Sequence, residues 1–276
     1  QQAAALVRLS DLLRVHRLPS KRSSTERPAS ADCGNGASGG AEDDALSMEY
    51  EEIHFDEPIG AGSFGAVFKG RCRGEVMAVK QCKVGDPKDA EMLLQEIRYL
   101  QRLRHPRLVA FLGSCNRPPH VLLLIEYMAG GSLQALLFGT TAKRRQGLAL
   151  KAKVQMAHQV LEGLAYLHDM HVVHRDLKTA NIVLDADLNC KICDFGLTIT
   201  LERTHMTVRS LQGSPRYMAP EQFEPCAHIT EKVDIWQMGC VMLELFCLTV
   251  PFASCKGIQQ IASQLLLRRQ PPAMPL

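Results

Sequence analysis

Residues 174–181 (HRDLKTAN), followed by DFG at 194–196, contain the side chains most able to do chemistry. In-line transfer of a γ-phosphoryl group needs a carboxylate near the attacking hydroxyl and hard oxygen ligands for Mg²⁺. Asp176 suits the first role, and Asn181 and Asp194 suit the second. The two motifs in this order therefore predict a phosphoryl-transfer site.

A glycine-rich loop, GAGSFG, precedes these motifs. The chain after it (AVFK) reads as a strand, whereas a dinucleotide-binding loop would open a helix. Gly60, Gly62 and Gly65 would let the backbone approach phosphates closely, so we expect the loop to cover ATP. Val67, on the strand that follows, would form the ceiling over the adenine.

The next strand, MAVK, supplies a predicted phosphate-binding cation. Lys80 would neutralise the α- and β-phosphates, and Ala78 of the same strand is predicted to bind the nucleotide as well. Lys80 then needs an acidic partner on the following helix, where Glu91 and Glu96 are the candidates. Glu96 lies within the apolar stripe of that helix, so we expect Glu96 to face the cleft and Glu91 to face solvent.

Further residues of the second half are expected to contact the nucleotide. Lys178 lies two residues after Asp176, where its ammonium group could touch the transferring phosphate. Val183 follows Asn181 closely and could form the floor under the adenine. Together with Asp176, these residues complete the predicted catalytic half.

Composition excludes several other classes of protein. The chain has 276 residues and a formal net charge of +3, which is too small to indicate a nucleic-acid binder. Its cysteines are scattered, and a lone CxxC at 190–193 lacks a second pair, so we expect free thiols in a reducing compartment, the cytoplasm. The most apolar run, 238–252, is short and contains Glu244, so no membrane span is predicted.

The order of periodic segments predicts a two-lobed α+β architecture. Residues 1–18 are expected to be a lead-in that could form an amphipathic helix, and residues 19–47 a disordered linker. Strands are predicted at 53–60, 66–72, 76–82, 108–114 and 121–127, and helices at 87–103, 131–138, 149–169, 230–247 and 256–267.

From about residue 53 to 276 the chain resembles the eukaryotic protein-kinase catalytic domain, on the motifs GAGSFGAV, MAVK, HRDLKTAN, DFG, SPRYMAPE and DIWQMG. Within that superfamily it is most similar to the tyrosine-kinase-like group of serine/threonine kinases, on FDEPIGAGSFG, LRHPRLVAFLG and GSPRYMAPE. The resemblance implies a β-rich N-lobe (53–126) with one main helix, a hinge (126–130) and a mostly helical C-lobe (131–276).

The implied reaction is transfer of the γ-phosphate of ATP, with Mg²⁺, to serine or threonine of a protein substrate. Lys178 matches the serine/threonine form of the catalytic loop. By the same resemblance Ile125 is the gatekeeper, Glu126 to Met128 form the adenine-binding hinge, and the Ser214 hydroxyl bonds the catalytic Asp and Lys. The alternatives are a dual-specificity or tyrosine kinase, an inactive fragment, and a non-catalytic ATP-binding scaffold. Such a scaffold would normally lack one of Lys80, Asp176 and Asp194.

The segment after DFG is rich in hydroxyls, which predicts control by phosphorylation. Thr204, Thr207 and Ser210 are the candidate sites, and Ser210 aligns with the primary activating site of the family. Arg175, beside the catalytic Asp176, is a cation that could pair with the phosphate. An upstream activating kinase is therefore an expected partner.

The C-terminal end departs from the family pattern. In that family the glutamate of APE pairs with an arginine in a late helix, and here no such helix follows the one at 256–267. Glu221 is therefore expected to lack its partner within this sequence. The first residue is Gln, so both ends are expected to be cuts in a longer protein.

Overall fold

A computed structural model of the chain describes residues 48–62, 65–83, 87–117, 120–139, 147–200, 206–208, 213–224 and 227–274. The chain divides into two compact units. Of the described residues, unit 1 comprises those from 48 to 94 and from 112 to 125, and unit 2 comprises those from 95 to 111 and from 126 to 274. The expected lead-in (1–18) and linker (19–47) lie outside the described residues.

The first half of the chain is mostly strand. A five-stranded sheet has the order β1-β2-β3-β5-β4, with β1, β2 and β3 paired antiparallel. The elements are β1 (Ile53–Gly62), β2 (Gly65–Cys72), β3 (Glu75–Lys83), α1 (Pro87–Arg102), β4 (Phe111–Arg117) and β5 (His120–Glu126).

The second half is mostly helical. Its helices are α2 (Leu133–Phe138), α3 (Leu150–Asp169), α4 (Lys232–Cys247) and α5 (Ile258–Ala262), the last continued by a π-turn at Ser263–Leu267. Short sheets connect them: β6 (Gly131–Ser132), β8 (Ile182–Leu184) and β9 (Cys190–Ile192) form one, β7 (Val172–Val173) and β10 (Ile199–Thr200) a second, and β11 (Met206–Val208) and β12 (Ala227–Ile229) a third. The predicted α+β class is therefore confirmed.

A two-residue turn sets the register between β2 and β3. Arg73 and Gly74 have φ values of 52° and 85°, and they join the paired residues Cys72 and Glu75. Positive φ at both central residues is the geometry of a type I′ turn, whose twist matches that of paired strands. The apolar residues of alternate strand positions consequently share one face and form the core of unit 1: Ile53, Cys72, Met77, Val79, Cys115, Leu122 and Leu124.

One predicted strand lies further along the chain than expected. Residues 108–114 were predicted as a strand, but β4 occupies Phe111–Arg117. The backbone before β4 pairs elsewhere: Leu108 forms a parallel bridge with Ile192, and the Val109 N–H donates to the Ile192 carbonyl at 3.0 Å. These apolar residues thus join unit 2 through hydrogen bonds to β9, which the local pattern does not reveal.

Two predicted helices are shorter than expected. The segment 131–138 begins with the strand β6, and α2 starts only after Ser132, whose Oγ accepts the Ala135 N–H at 3.0 Å. This is the usual N-cap arrangement, and it fixes where the helix can begin. In the segment 256–267, Gly257 is extended, so α5 starts at Ile258.

More than half of the residues of helix α4 are buried. Its buried residues include Val233, Val241 and Leu245, none of which is accessible to solvent. Among the helices that the structure describes, none is long and apolar enough to cross a membrane. The burial of α4 therefore reflects packing within the unit.

Two helix glycines give a matched test of this packing. Replacing Gly239 with Ala should raise the free energy of unfolding by about 0.5–1 kcal/mol, because a Cβ there meets nothing within 4 Å and Ala is the better helix former. Gly163→Ala should instead lower it, because its Cβ would lie 3.1 Å from the Arg107 carbonyl oxygen and 3.0 Å from Ile192 Cδ1. Urea unfolding of the two variants checks the expected opposite signs.

Candidate active site

A buried carboxylate on α4 holds the backbone that precedes Asp176. Asp234 is fully buried, and its Oδ2 and Oδ1 accept the N–H groups of His174 and Arg175 at 2.9 and 2.8 Å. The His168 Nε2 atom lies 2.9 Å from the same carboxylate. A buried charge is tolerated only when donors surround it, so this carboxylate requires the loop to keep its conformation.

The Asp176 carboxylate is the centre of a polar cluster. Its Oδ2 accepts hydrogen bonds from Lys178 Nζ at 2.7 Å and from Asn181 Nδ2 at 3.1 Å, and its Oδ1 accepts the Ser214 N–H at 3.0 Å. Lys178 Nζ also donates to Ser214 Oγ at 2.7 Å. The Ser214 hydroxyl thus bonds Lys178, while its backbone N–H bonds Asp176.

The two predicted metal ligands lie at adjacent ends of the β8–β9 pair. Ile182 pairs with Ile192, and the Cys193 N–H donates to the Asn181 carbonyl at 3.0 Å, which brings Asn181 and Asp194 close together. The Asn181 Nδ2 is used by Asp176, and its Oδ1 accepts no hydrogen bond from a described residue. One amide oxygen and one carboxylate are hard donors that fit a small divalent cation.

The donor set also limits how such a cation could be held. Within the described ranges, no three His, Cys, Asp or Glu side chains come together as a metal site. A cation with only two protein ligands needs phosphate and water oxygens to complete its coordination, as Mg²⁺ usually does. The site fits a metal that arrives with a nucleotide.

In unit 1 the register places the predicted nucleotide residues on one face of the sheet. Val67 pairs with Lys80, Gly60 with Val67, and Gly65 with Cys82. Directly opposed residues of antiparallel strands share a face, and so do residues two apart, which adds Ala78. The core cluster of unit 1 occupies the opposite face, and Ala78 and Lys80 on this face are also buried. Their binding of a nucleotide stays a prediction.

Close packing explains one glycine of the loop. A Cβ on Gly65 would lie 1.9 Å from the Gln81 carbonyl oxygen, and its φ is +153°. No other residue fits without moving β3. Gly62 pairs with Gly65 at the end of the β1–β2 hairpin, and the residues between them lie outside the described part.

Lys80 and Glu96 are both buried, at 5% and 2% exposure. Lys80 lies on β3 and Glu96 on α1. The predicted pairing of these two residues stays a prediction, as does the outward position of Glu91.

Polar groups of the predicted hinge form hydrogen bonds to other residues of unit 2. Both Glu126 carboxylate oxygens accept Lys191 Nζ, at 2.7 and 2.8 Å, and the Glu126 N–H donates to the Ala110 carbonyl at 2.9 Å. The Met128 carbonyl accepts the Gly131 N–H at 3.1 Å, while the Met128 N–H bonds no described residue. Val183 lies on β8 opposite Ser132.

Arg175 is held in a strained and desolvated position. Its φ is 68°, a left-handed conformation that costs a non-glycine residue about 1–3 kcal/mol. Burial lowers the pKa of its guanidinium, Nη1 donates to the Leu197 carbonyl at 3.3 Å, and the buried Nε has no hydrogen-bond partner among the described residues. The negative charge of Asp234 opposes part of this lowering of the pKa. The role of Arg175 as the receiver of a phosphate stays a prediction.

The predicted phosphorylation sites are only partly described. Thr207 lies on β11 opposite His228 of β12. Thr204 and Ser210 lie outside the described residues.

Glu221, the glutamate of APE, forms no ion pair with any described residue.

Sequence reasoning missed the buried carboxyl of Glu244. Its oxygens accept hydrogen bonds from the Thr179 hydroxyl and, at 2.8 Å, from the Tyr217 hydroxyl. Burial raises the pKa of this carboxyl, and burial likewise raises the pKa of the neighbouring Cys240 thiol to about 12. The sequence did contain a signal for this site, because an acidic residue within the apolar run of α4 needs buried hydrogen-bond partners.

A comparison with family models identifies the protein family. Residues 53–272 match the model described as "Protein kinase domain". The chain belongs to the protein kinase family. The predicted resemblance and the two-lobed fold class are thereby confirmed, and members of this family use ATP with a divalent cation.

Named protein kinases are similar over most of the chain. Serine/threonine-protein kinase CTR1 of Arabidopsis thaliana is 34% identical over 81% of the chain. Dual specificity protein kinase shkC of Dictyostelium discoideum is 32% identical over 82%, and mitogen-activated protein kinase kinase kinase dlk-1 of Caenorhabditis elegans is 34% identical over 78%. The chain spans only 27%, 45% and 22% of the lengths of these relatives, respectively.

The raised pKa of Glu244 predicts a specific pH dependence of stability. A raised carboxyl pKa means that the folded state binds the proton more tightly than the unfolded state, whose value is near 4.5. Stability contributed by the protonated form is therefore lost as pH rises above about 4.5, by up to roughly 1.4 kcal/mol per unit of pKa difference. Glu244→Gln cannot titrate and should escape this loss.

Urea unfolding of both proteins between pH 4.5 and 8 measures the difference. The free energy of unfolding of the wild type relative to Glu244→Gln should fall with rising pH. A difference that stays constant over this range would contradict the raised pKa.

Proposed function

We propose that the protein transfers the γ-phosphoryl group of ATP to serine or threonine hydroxyls of protein substrates. The observation that carries this proposal is the cluster of Asp176, Lys178 and Ser214, joined by hydrogen bonds of 2.7 to 3.0 Å. It combines a carboxylate that can accept a proton with a cation that can neutralise a phosphoryl group. Phosphoryl transfer depends mainly on such positioning and charge.

Each residue of the cluster has a distinct task. Asp176 accepts or orients the substrate hydroxyl proton, and its bonds to Asn181 and Ser214 fix the direction of its carboxylate. Lys178 is anchored by Ser214 and faces the phosphoryl group. Asn181 Oδ1 and Asp194 would hold Mg²⁺, which would supply positive charge to the phosphate oxygens. On the sheet of unit 1, Lys80 binds the α- and β-phosphates.

The choice of acceptor rests on Lys178 and on the relatives. The cation at this position matches the serine/threonine form of the catalytic loop, and CTR1 bears the name of a serine/threonine kinase. The similarity to shkC, named a dual-specificity kinase, keeps tyrosine as the second candidate acceptor. A non-catalytic scaffold is less well supported because Lys80, Asp176 and Asp194 are all present.

The setting proposed for this activity is a signalling cascade in the cytoplasm. The eight cysteines that the structure describes are free thiols, as in a reducing compartment. The similarity to dlk-1, named a mitogen-activated protein kinase kinase kinase, supports a protein substrate as partner. An upstream activating kinase is proposed from the hydroxyl-rich segment after DFG.

Replacing Asp176 with Asn should lower kcat for phosphate transfer by roughly 10²–10⁴-fold, because the amide cannot accept the hydroxyl proton. The measurement is transfer of γ-phosphate to a generic protein substrate, followed by phosphoamino-acid analysis, which should show phosphoserine and phosphothreonine. Asp187→Asn, an exposed residue of the same unit, is the matched control and should behave as the wild type. Equal rates for the wild type and Asp176→Asn would exclude the proposed base, and phosphotyrosine alone would exclude the serine/threonine assignment.

Activation is proposed to act through Arg175 and a phosphate on Ser210. Ser210→Ala should then lower the activity of the kinase-activated protein by roughly tenfold to a hundredfold, the value of one or two charge-assisted hydrogen bonds. In an Arg175→Gln background the same change should have little further effect, because the receiving cation is gone. Thr204→Ala and Thr207→Ala serve as comparisons. Independent, multiplicative losses from Ser210→Ala and Arg175→Gln would contradict the pairing.

A further inference from the structure

A second polar residue of α4 reaches the catalytic loop beside Asp234. Gln237 lies one helical turn after Asp234 and is 1% exposed. Its Oε1 accepts the Leu177 N–H at 2.8 Å, and its Nε2 donates to the Arg175 carbonyl at 2.7 Å. A single side chain thus bonds the residue before Asp176 and the residue after it.

The orientation of the Gln237 amide follows from its partners. A backbone N–H can only donate and a carbonyl can only accept, so the oxygen must face Leu177 and the nitrogen must face Arg175. A carboxylate would lack the donor, and an apolar residue would lack both groups. The bonding pattern therefore requires a primary amide.

These bonds complete the restraint of both peptide groups that flank Asp176. The Asp176 N–H donates to His174 Nδ1 at 3.3 Å, and the Asp176 carbonyl accepts Asn181 Nδ2 at 2.8 Å. Gln237 supplies the remaining two bonds, one to each peptide group. Because two fixed peptide planes determine the direction of the Cα–Cβ bond between them, Gln237 helps to set where the Asp176 carboxylate points.

Asp234 does not perform this task. Its carboxylate bonds the N–H groups of His174 and Arg175, which lie before the peptide groups in question. Arg175 itself has a φ of 68°, so the backbone between the two helix anchors is in a conformation that it would leave if released. The carbonyl of that strained residue is the one held by Gln237.

We propose that Gln237 is a positioning residue for Asp176, acting through the backbone on both sides of it. This inference rests on the proposed kinase activity, since Asp176 is taken to be the base. Gln237 touches no substrate. Its loss should therefore slow the chemical step without weakening nucleotide binding.

The test compares Gln237→Met with Gln159→Met. Gln159 is also a buried glutamine of unit 2, at 4% exposure, with an equivalent pair of bonds: its Oε1 accepts the Cys190 N–H at 2.7 Å and its Nε2 donates to Asn189 Oδ1 at 3.0 Å. Gln159→Met removes these two hydrogen bonds. Gln237→Met removes the two to the catalytic loop and a longer one, from Nε2 to Gln222 Oε1 at 3.5 Å. Both changes retain the side-chain length. Only one of them releases the backbone around Asp176.

For Gln237→Met, kcat should fall by roughly 10²-fold, as expected for a displaced catalytic group, while the KM for ATP changes less than about threefold. Gln159→Met should retain the wild-type kcat at a temperature below its unfolding midpoint. If Gln237→Met does not fold, Gln237→Leu provides the same comparison. Equal losses of kcat in the Gln237 and Gln159 variants would overturn the proposal, since both would then be merely structural.

Hydrogen exchange provides a readout that does not depend on activity. The Leu177 amide should exchange faster in Gln237→Met and at the wild-type rate in Gln159→Met, whose Cys190 amide should be the faster one. Unchanged protection of Leu177 in Gln237→Met would overturn the positioning role. A wild-type protein that transfers no phosphate but shows the expected exchange would instead contradict the proposed function alone.

Discussion

The buried carboxylate of Asp234 is the interaction on which the catalytic half depends. A carboxylate inside an apolar helix bundle is stable only if donors replace the lost water. Here two backbone N–H groups and the His168 ring supply them, within 2.9 Å. Because Asp234 needs these donors, the start of the catalytic loop packs against α4. Asp234 performs no chemistry itself, but its charge determines the conformation of the loop.

Most polar side chains in the remainder of the catalytic loop form hydrogen bonds. Asp176 receives donors from Lys178, Asn181 and Ser214, and Glu244 receives the hydroxyls of Thr179 and Tyr217. The His174 ring packs edge-on against Phe195 at 5.4 Å between ring centroids, which links the loop to DFG. Strained backbone occurs on both sides of this contact, with φ values of 68° at Arg175 and 66° at Asp194. Strain of this kind persists only where surrounding bonds overdetermine it.

Local patterns predicted most elements but not all their limits. The long amphipathic and apolar segments at 149–169 and 230–247 correspond closely to α3 (Leu150–Asp169) and α4 (Lys232–Cys247). The predicted strand 108–114 was displaced because part of it pairs with β9, far away in sequence. Capping at Ser132 and the extended backbone at Gly257 shortened two helices. Hydrophobic periodicity predicts which residues are buried. The ends of helices and strands depend instead on hydrogen bonds that form only in the folded chain.

The sequence by itself determined the family, the order of the elements and the identity of the reacting groups, because Asp176, Lys178, Asn181 and Asp194 lie in short motifs whose chemistry depends on residue type and spacing. It also showed Glu244 as an acid within an apolar run, without indicating what this residue bonds. Only the tertiary structure decided that Glu244 meets Thr179 and Tyr217, and that one amide spans both sides of Asp176. Those contacts join residues that are distant along the chain, and their partners are set by how α4 packs beneath the loop rather than by any local pattern.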